Sequence, residues 1–176
     1  MSTQEQTGRI LLKGKNAEGE TVFQEPEEYL VAPEITSPSG LMTFVVVSPR
    51  GFTFELYPKV ICHANADRAV RCAEMLLDMT SRSTTVSPSD GWRLPFIEEA
   101  VTIVRMAEQI TDACAAIGIP SPWSSPVLYI RRLMTCERFG DRAIVVYGHK
   151  SQGESRIEVS LQCAKTPGDV ISVRSL

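Results

Sequence analysis

The sequence has no closely spaced cysteine pair, only two histidines and no long apolar run, and each shortage closes a class of function. Five cysteines stand at 62, 72, 114, 136 and 163. An odd count without metal-ligand spacing implies neither a disulfide framework nor a zinc site. No stretch approaches the ~20 apolar residues of a membrane span, so no membrane association is expected. The start, MSTQEQTG, lacks the basic and apolar halves of a secretory signal. These features lead to an expected reducing location, cytoplasmic or within a virion. Phosphate-cradling glycine loops, dinucleotide fingerprints, HExxH, GxSxG and EF-hand loops are all missing, so neither cofactor nor metal is expected.

What remains is an ordinary globular composition. The 176 residues are 43% hydrophobic and 22% charged, enough for one domain with a real core. Net charge is −3, unevenly spread. Residues 1–40 carry three basic and seven acidic side chains, so the other 136 residues sum to +1. Arginine outnumbers lysine thirteen to five, a bias that suits interfaces because the planar fork pairs bidentately.

Along the chain, RILLKGK (9–15) and ETVFQ (20–24) flank a turn-rich NAEG and suggest a hairpin. EPEEYLVAPEITSPSG (25–40), with three prolines, reads as an extended arm. Strands follow at 41–48 and 52–57, joined by SPRG with proline at its second position. In the second, Phe52, Phe54 and Leu56 point one way and Thr53, Glu55 and Tyr57 the other, which predicts one buried face. The stretch KVICHANADRAVRCAEM then runs into a helix. Asn65 is its expected N-cap and Asp67 lies in its first turn. Ala66, Ala69, Val70, Ala73, Leu76, Leu77 and Thr80 form its apolar stripe.

Residues 94–120 predict the longest helix, with proline at its start and Gly118 at its end. Its polar stripe is narrow: Glu98, Thr102, Arg105, Gln109 and Asp112. Such a helix belongs in a central position, and Val101, Met106 and Ala113 are candidates for contact with another chain. Residues 126–139 suit either helix or strand, and a short helix is preferred, bracketed by Ser125-Pro126 and Gly140. RAIVVYGH and SRIEVSLQC form a hairpin, with Ile157, Val159, Leu161 and Cys163 expected to alternate inward. A last strand, VISV, follows TPGD. The pattern predicts an α+β fold: an arm at 1–40, then a 41–176 domain with one mostly antiparallel sheet and two or three helices on one face.

Chemistry is sparse. Cys62 precedes a helix N-terminus, where a thiolate gains stability, but neighbouring strand residues face opposite ways, so His63 cannot be its base. His63 in VICHAN and His149 in VYGHKS each end an apolar strand, with Asn65 and Ser151 two positions on. This pairing is similar to that of the two-histidine phosphoesterases, whose paired H-x-T/S motifs place two imidazoles in one cleft. The resemblance implies one histidine as general base and one as general acid on a cyclic or 2′,5′-linked phosphodiester, with His63, Asn65, His149 and Ser151 as the catalytic set. Asn65 departs from the hydroxyl of that motif, and Lys150 stands where a hydrophobic residue belongs. Arg131, Arg132, Arg138 and Arg142 lie near Tyr129 and Phe139, a mixture that can hold single-stranded nucleic acid. Glu137 and Asp141 offset this cluster in a chain of pI 5.5.

The reading adopted is a non-catalytic interaction or structural protein, a subunit or accessory factor of a larger assembly, of a kind found in viruses and phages. Its partner is another protein or a second copy, and Glu25, Glu27, Glu28, Tyr29, Arg131 and Arg132 are the expected contacts. The phosphodiesterase and the nucleic-acid module are the alternatives.

Overall fold

A computed structural model of the chain describes residues 8–15, 18–25, 43–76, 90–122, 129–151 and 154–176. Of the strand residues 15, 129–131, 149–151 and 154–155 it describes the backbone only. The expected α+β architecture is present, but its strands divide into two five-stranded sheets.

The first sheet is built from β1 (Arg9–Lys15), β2 (Thr21–Gln24), β3 (Thr43–Val47), β4 (Thr53–Leu56) and β10 (Val173–Arg174), in the order β10-β4-β3-β1-β2. The expected hairpin at 9–24 therefore joins the sheet through β1, which pairs with β3 as well as β2. Of the arm expected over 25–40, all but Glu25 lies outside the described residues. The turn between β3 and β4 follows its sequence. Gly51 takes a φ of 93°, its N–H donates to Ser48 O, and the Ser48 hydroxyl accepts from Phe52 N.

The second sheet contains β5 (Cys62–Ala64), β6 (Tyr129–Phe139), β7 (Arg142–Ser151), β8 (Glu154–Cys163) and β9 (Gly168–Val170), ordered β5-β9-β6-β7-β8. Residues 129–139 are thus a strand, which corrects the preferred helix. Gly140-Asp141 is a two-residue turn with Gly140 at φ 61°, and Phe139 pairs with Arg142 across it. The glycine that could end a helix instead reverses a strand. The VISV strand divides as well, into β9 and β10.

Three helices fill the remaining space: α1 (Ala66–Met75), α2 (Ile97–Arg105) and α3 (Ala107–Ala116). The long helix expected over 94–120 is broken at Met106, whose φ of −97° and ψ of 15° end α2. The break coincides with a close approach. A Cβ on Gly8 would stand 2.6 Å from Val47 O and 2.7 Å from Met106 Sδ, while Gln109 Nε2 donates to Gly8 O. Its central position is as expected. Ile103, Val104, Ile110 and Cys114 pack against Ile10, Phe44, Phe54 and Leu56 of the first sheet and Leu133 and Val146 of the second. Met106 and Ala113, expected to face another chain, are buried there.

The second core lies on the other face of the second sheet, where α1 packs Ala66, Ala69, Cys72 and Ala73 against Cys62, Met134, Val145 and Val170. The helices therefore occupy both faces of this sheet rather than one. Asn65 caps α1 as expected, its Oδ1 accepting from Arg68 N at 3.0 Å. Asp67 receives the guanidinium of Arg138 from β6. Cys72 lies in the buried stripe, and Val70 is exposed.

The two sheets share one ribbon. β4 and β5 are consecutive, as are β9 and β10, and the two runs pair antiparallel through Leu56↔Val173 and Cys62↔Val170. Between these points Tyr57 N donates to Ser172 O and Ile61 N to Val170 O. The Ser172 hydroxyl, fully buried, donates to Ala73 O near the end of α1 at 2.6 Å.

Glu55, expected on a solvent-facing side, is buried in β4. It accepts hydrogen bonds from Thr43 Oγ1, Lys13 Nζ and Arg174 Nε and Nη2, and Arg174 stacks on Trp92 at 4.6 Å. Burial pushes its carboxyl up, but the hydrogen bonds from Thr43, Arg174 and Lys13 together outweigh it and hold the group below its ordinary value of 4.5. This stabilisation is complete above that value and is lost as pH falls through the lower folded one. Glu55→Gln should cost about 3 kcal/mol in urea unfolding at neutral pH. The deficit should shrink as the pH drops below 4.5. A deficit independent of pH would show that the carboxylate charge is not what holds β10 to β4.

Candidate functional site

His63 lies in β5 opposite Asp169 of β9. Its Nδ1 is 3.2 Å from Asp169 Oδ1, and the ring is 62% exposed over a carboxylate that is 3% exposed. The buried carboxylate fixes the orientation of the ring, which is half of an acid–base device. The other half is not beside it. Cys62 faces the second core, as alternation requires, and Asn65 is occupied in capping α1. His149 lies in β7, three strands from β5 in the sheet order, and pairs with Tyr129 of β6. Strand spacing alone separates the two backbones by roughly 14 Å. Their registers differ too, since Asp169 aligns with Leu133 and not with Tyr129. The side chains of His149 and Ser151 are not described. Among the described residues no group of three or more His, Cys, Asp or Glu could hold a metal ion.

The arginine cluster disperses once residues 129–139 are a strand. Arg138 is tied to Asp67 of α1. Arg132 lies partly buried on β6, with Nε and Nη2 shielded from solvent and unpaired. Arg142 opposes the exposed Phe139 at the hairpin end, and Arg131 contributes backbone to β6. In the expected acidic contact, Glu25 accepts from Arg9 Nη1 at 2.8 Å, an ion pair within the first sheet. Glu27, Glu28 and Tyr29 lie outside the described residues.

A different surface stands out on β8, the outer strand of the second sheet. Its register with β7 sets Ile157 opposite Gly148, Val159 opposite Val146 and Leu161 opposite Ile144. Directly opposite residues share a face, so this is the face that carries α2. Val146 is completely buried beneath that helix and Ile157 packs against the same core. The cover stops there. Val159 is 51% exposed, Leu161 45% and Phe139, at the β6–β7 turn, 63%. Cys163, next in the alternation, is exposed too. The inward alternation expected of these residues is therefore corrected: they share one face, and only Ile157 reaches the core.

The opposite face of β8 carries Arg156, Glu158, Ser160 and Gln162. Here Tyr147 of β7 hydrogen-bonds Glu158, which, together with burial, pushes its phenol up. One side of the strand is thus polar and the other apolar without cover among the described residues. The signal was present in the sequence as strict alternation, but alternation alone does not say what covers the apolar side.

No family model, no curated protein and no solved structure matches this chain.

The five thiols provide a test of this placement. Cys62, Cys72 and Cys114 are buried, Cys136 is partly buried and Cys163 is exposed. Burial pushes the Cys114 thiol up to about 11. Burial and the neighbouring Glu137 carboxylate also raise Cys136. Alkylation of the native chain at pH 8 should show one fast thiol, removed by Cys163→Ser, with the others waiting for denaturant. A fast phase left undiminished by this substitution would mean that Cys163 is covered and that another thiol is the accessible one.

Proposed function

We propose that the chain is a non-catalytic interaction protein, a subunit or accessory factor of a larger assembly, which associates through the apolar face of β8. The observation that carries this reading is the exposed pair Val159 and Leu161 on a sheet edge. Covering the exposed half of either side chain is worth about 1 kcal/mol. β8 is also unguarded, since Glu154–Cys163 contains neither proline nor lysine and its charges lie on the other face. Edges of this kind are usually blunted unless something pairs with them. Sheet-edge addition supplies affinity through main-chain hydrogen bonds and specificity through alternate side chains.

Five cysteines, none of them joined in a disulfide, fit a reducing, intracellular setting for that assembly. No helix among the described residues is long and apolar enough to cross a membrane. The phosphodiesterase reading draws no support from a register that holds His63 and His149 in separate strands. The nucleic-acid reading is weakened by the use of Arg138 in an ion pair with Asp67.

In a native extract the chain should run as a species larger than its 19.4 kDa. Val159→Asp combined with Leu161→Asp should return it to the mass of the single chain. Because both positions are about half exposed, the thermal midpoint should move by no more than about 2–4 °C, the equivalent of roughly 1 kcal/mol. A wild-type chain that runs alone in the extract would refute the association reading.

A further inference from the structure

We propose that the occupant of the β8 edge is a second copy of this chain, paired antiparallel about a two-fold axis through Val159. This rests on the association reading above and names its partner. The argument is one of register and charge. An antiparallel pair built on a two-fold sets each residue against a fixed mate, so a strand either complements itself or does not.

With Val159 against its own copy, Ile157 faces the copy's Leu161, so three directly opposed pairs on the α2 face are apolar. On the other face Glu158 meets Ser160 and Arg156 meets Gln162. β8 carries one positive charge and two negative ones, at Arg156, Glu154 and Glu158, and no two like charges oppose one another across residues 155–163. The neighbouring registers are worse. A slip of one residue sets the apolar face of one copy against the polar face of the other. A slip of two towards the β7–β8 turn places Glu158 against Glu158, which is repulsive. A slip of two the other way shortens the overlap to 157–163 and moves Arg156 opposite Ala164, beyond the strand.

The result is a continuous sheet of ten strands, five from each copy, in which the exposed stripes of Val159 and Leu161 meet side by side. The main-chain groups on the outer side of β8 then find the partners that a sheet edge otherwise leaves to water. A foreign strand could also supply those hydrogen bonds. What favours a copy is that β8 sets its own apolar residues against one another and places no like charges directly opposite.

The test uses the purified full chain alone, with its mass read by light scattering. The wild type should form a dimer of twice 19.4 kDa. Val159→Lys and Val159→Glu should each be monomeric with an unchanged far-ultraviolet spectrum, since each sets like charges together on the two-fold. Mixed in equal amounts they should dimerise again, because lysine then faces glutamate. A monomeric wild type, a dimer that tolerates both substitutions, or a mixture that stays monomeric would overturn the proposal. Hydrogen exchange on the wild type avoids any dependence on the folding of variants. Protection of the 157–163 amides should rise with protein concentration, and concentration-independent exchange would also overturn it. If the purified chain is monomeric while the native extract holds a larger species that the aspartate variant loses, the partner is foreign. The association reading then survives and the two-fold does not.

Discussion

The antiparallel pairing of Thr53–Ala64 with Gly168–Arg174 is the interaction on which the architecture depends. At one end it forms β4–β10 in the first sheet, at the other β5–β9 in the second. The bend between them falls at Tyr57 to Ile61, where Pro58 removes a donor and the register shifts. Ser172 sits at the bend, fully buried. Its carbonyl accepts from Tyr57, and its hydroxyl closes onto α1. Arg93 adds a reciprocal pair of backbone bonds to Val173, and its guanidinium clasps Glu99 of α2. One short segment therefore fixes the two sheets and touches two of the three helices.

The ribbon brings both sheets to one core, and the broken helix pair fills it. The break at Met106 lets each half of the helix follow its own sheet, with α2 on the second sheet and α3 on β1. Met106 occupies the junction against Gly8, where any larger residue would drive the start of β1 off the helix. The same placement explains the exposed stripe. A helix of nine residues is only about 13 Å long, so it covers β6 and β7 and reaches the near end of β8, no further.

Local features were the ones legible in the sequence. The Asn65 cap, the SPRG turn, the β7–β8 hairpin and the central location of the long apolar helix all follow from neighbours within a few positions. The stretch 126–139 is ambiguous in the sequence because VLYIRRLM satisfies both periods, and pairing with β7 and β9 makes 129–139 a strand. The division into two sheets was illegible for a related reason, since it depends on partners such as Leu56 and Val173 that are far apart in the chain. Glu55 read as a surface residue because alternation shows a face and not what covers it. Val159 and Leu161 failed in the opposite sense by the same rule. The exposed His63 and its buried carboxylate are half visible in the sequence: the histidine ends an apolar strand, while Asp169 lies 106 positions away.

The ribbon also sets an order of events during folding. The β6–β7 and β7–β8 hairpins join neighbours in sequence and can form early, whereas the strands that lock the sheets together must find each other across more than a hundred residues. Distant pairings of this kind are slow, because loop closure is unfavourable until the contacts that reward it exist. Until then the β6–β8 meander stands with its apolar side uncovered and an open edge, the form of intermediate most prone to stick to its neighbours. A nascent chain is thus most vulnerable at the strand that serves the finished one as a contact, and how quickly its last strands arrive governs how much of it survives.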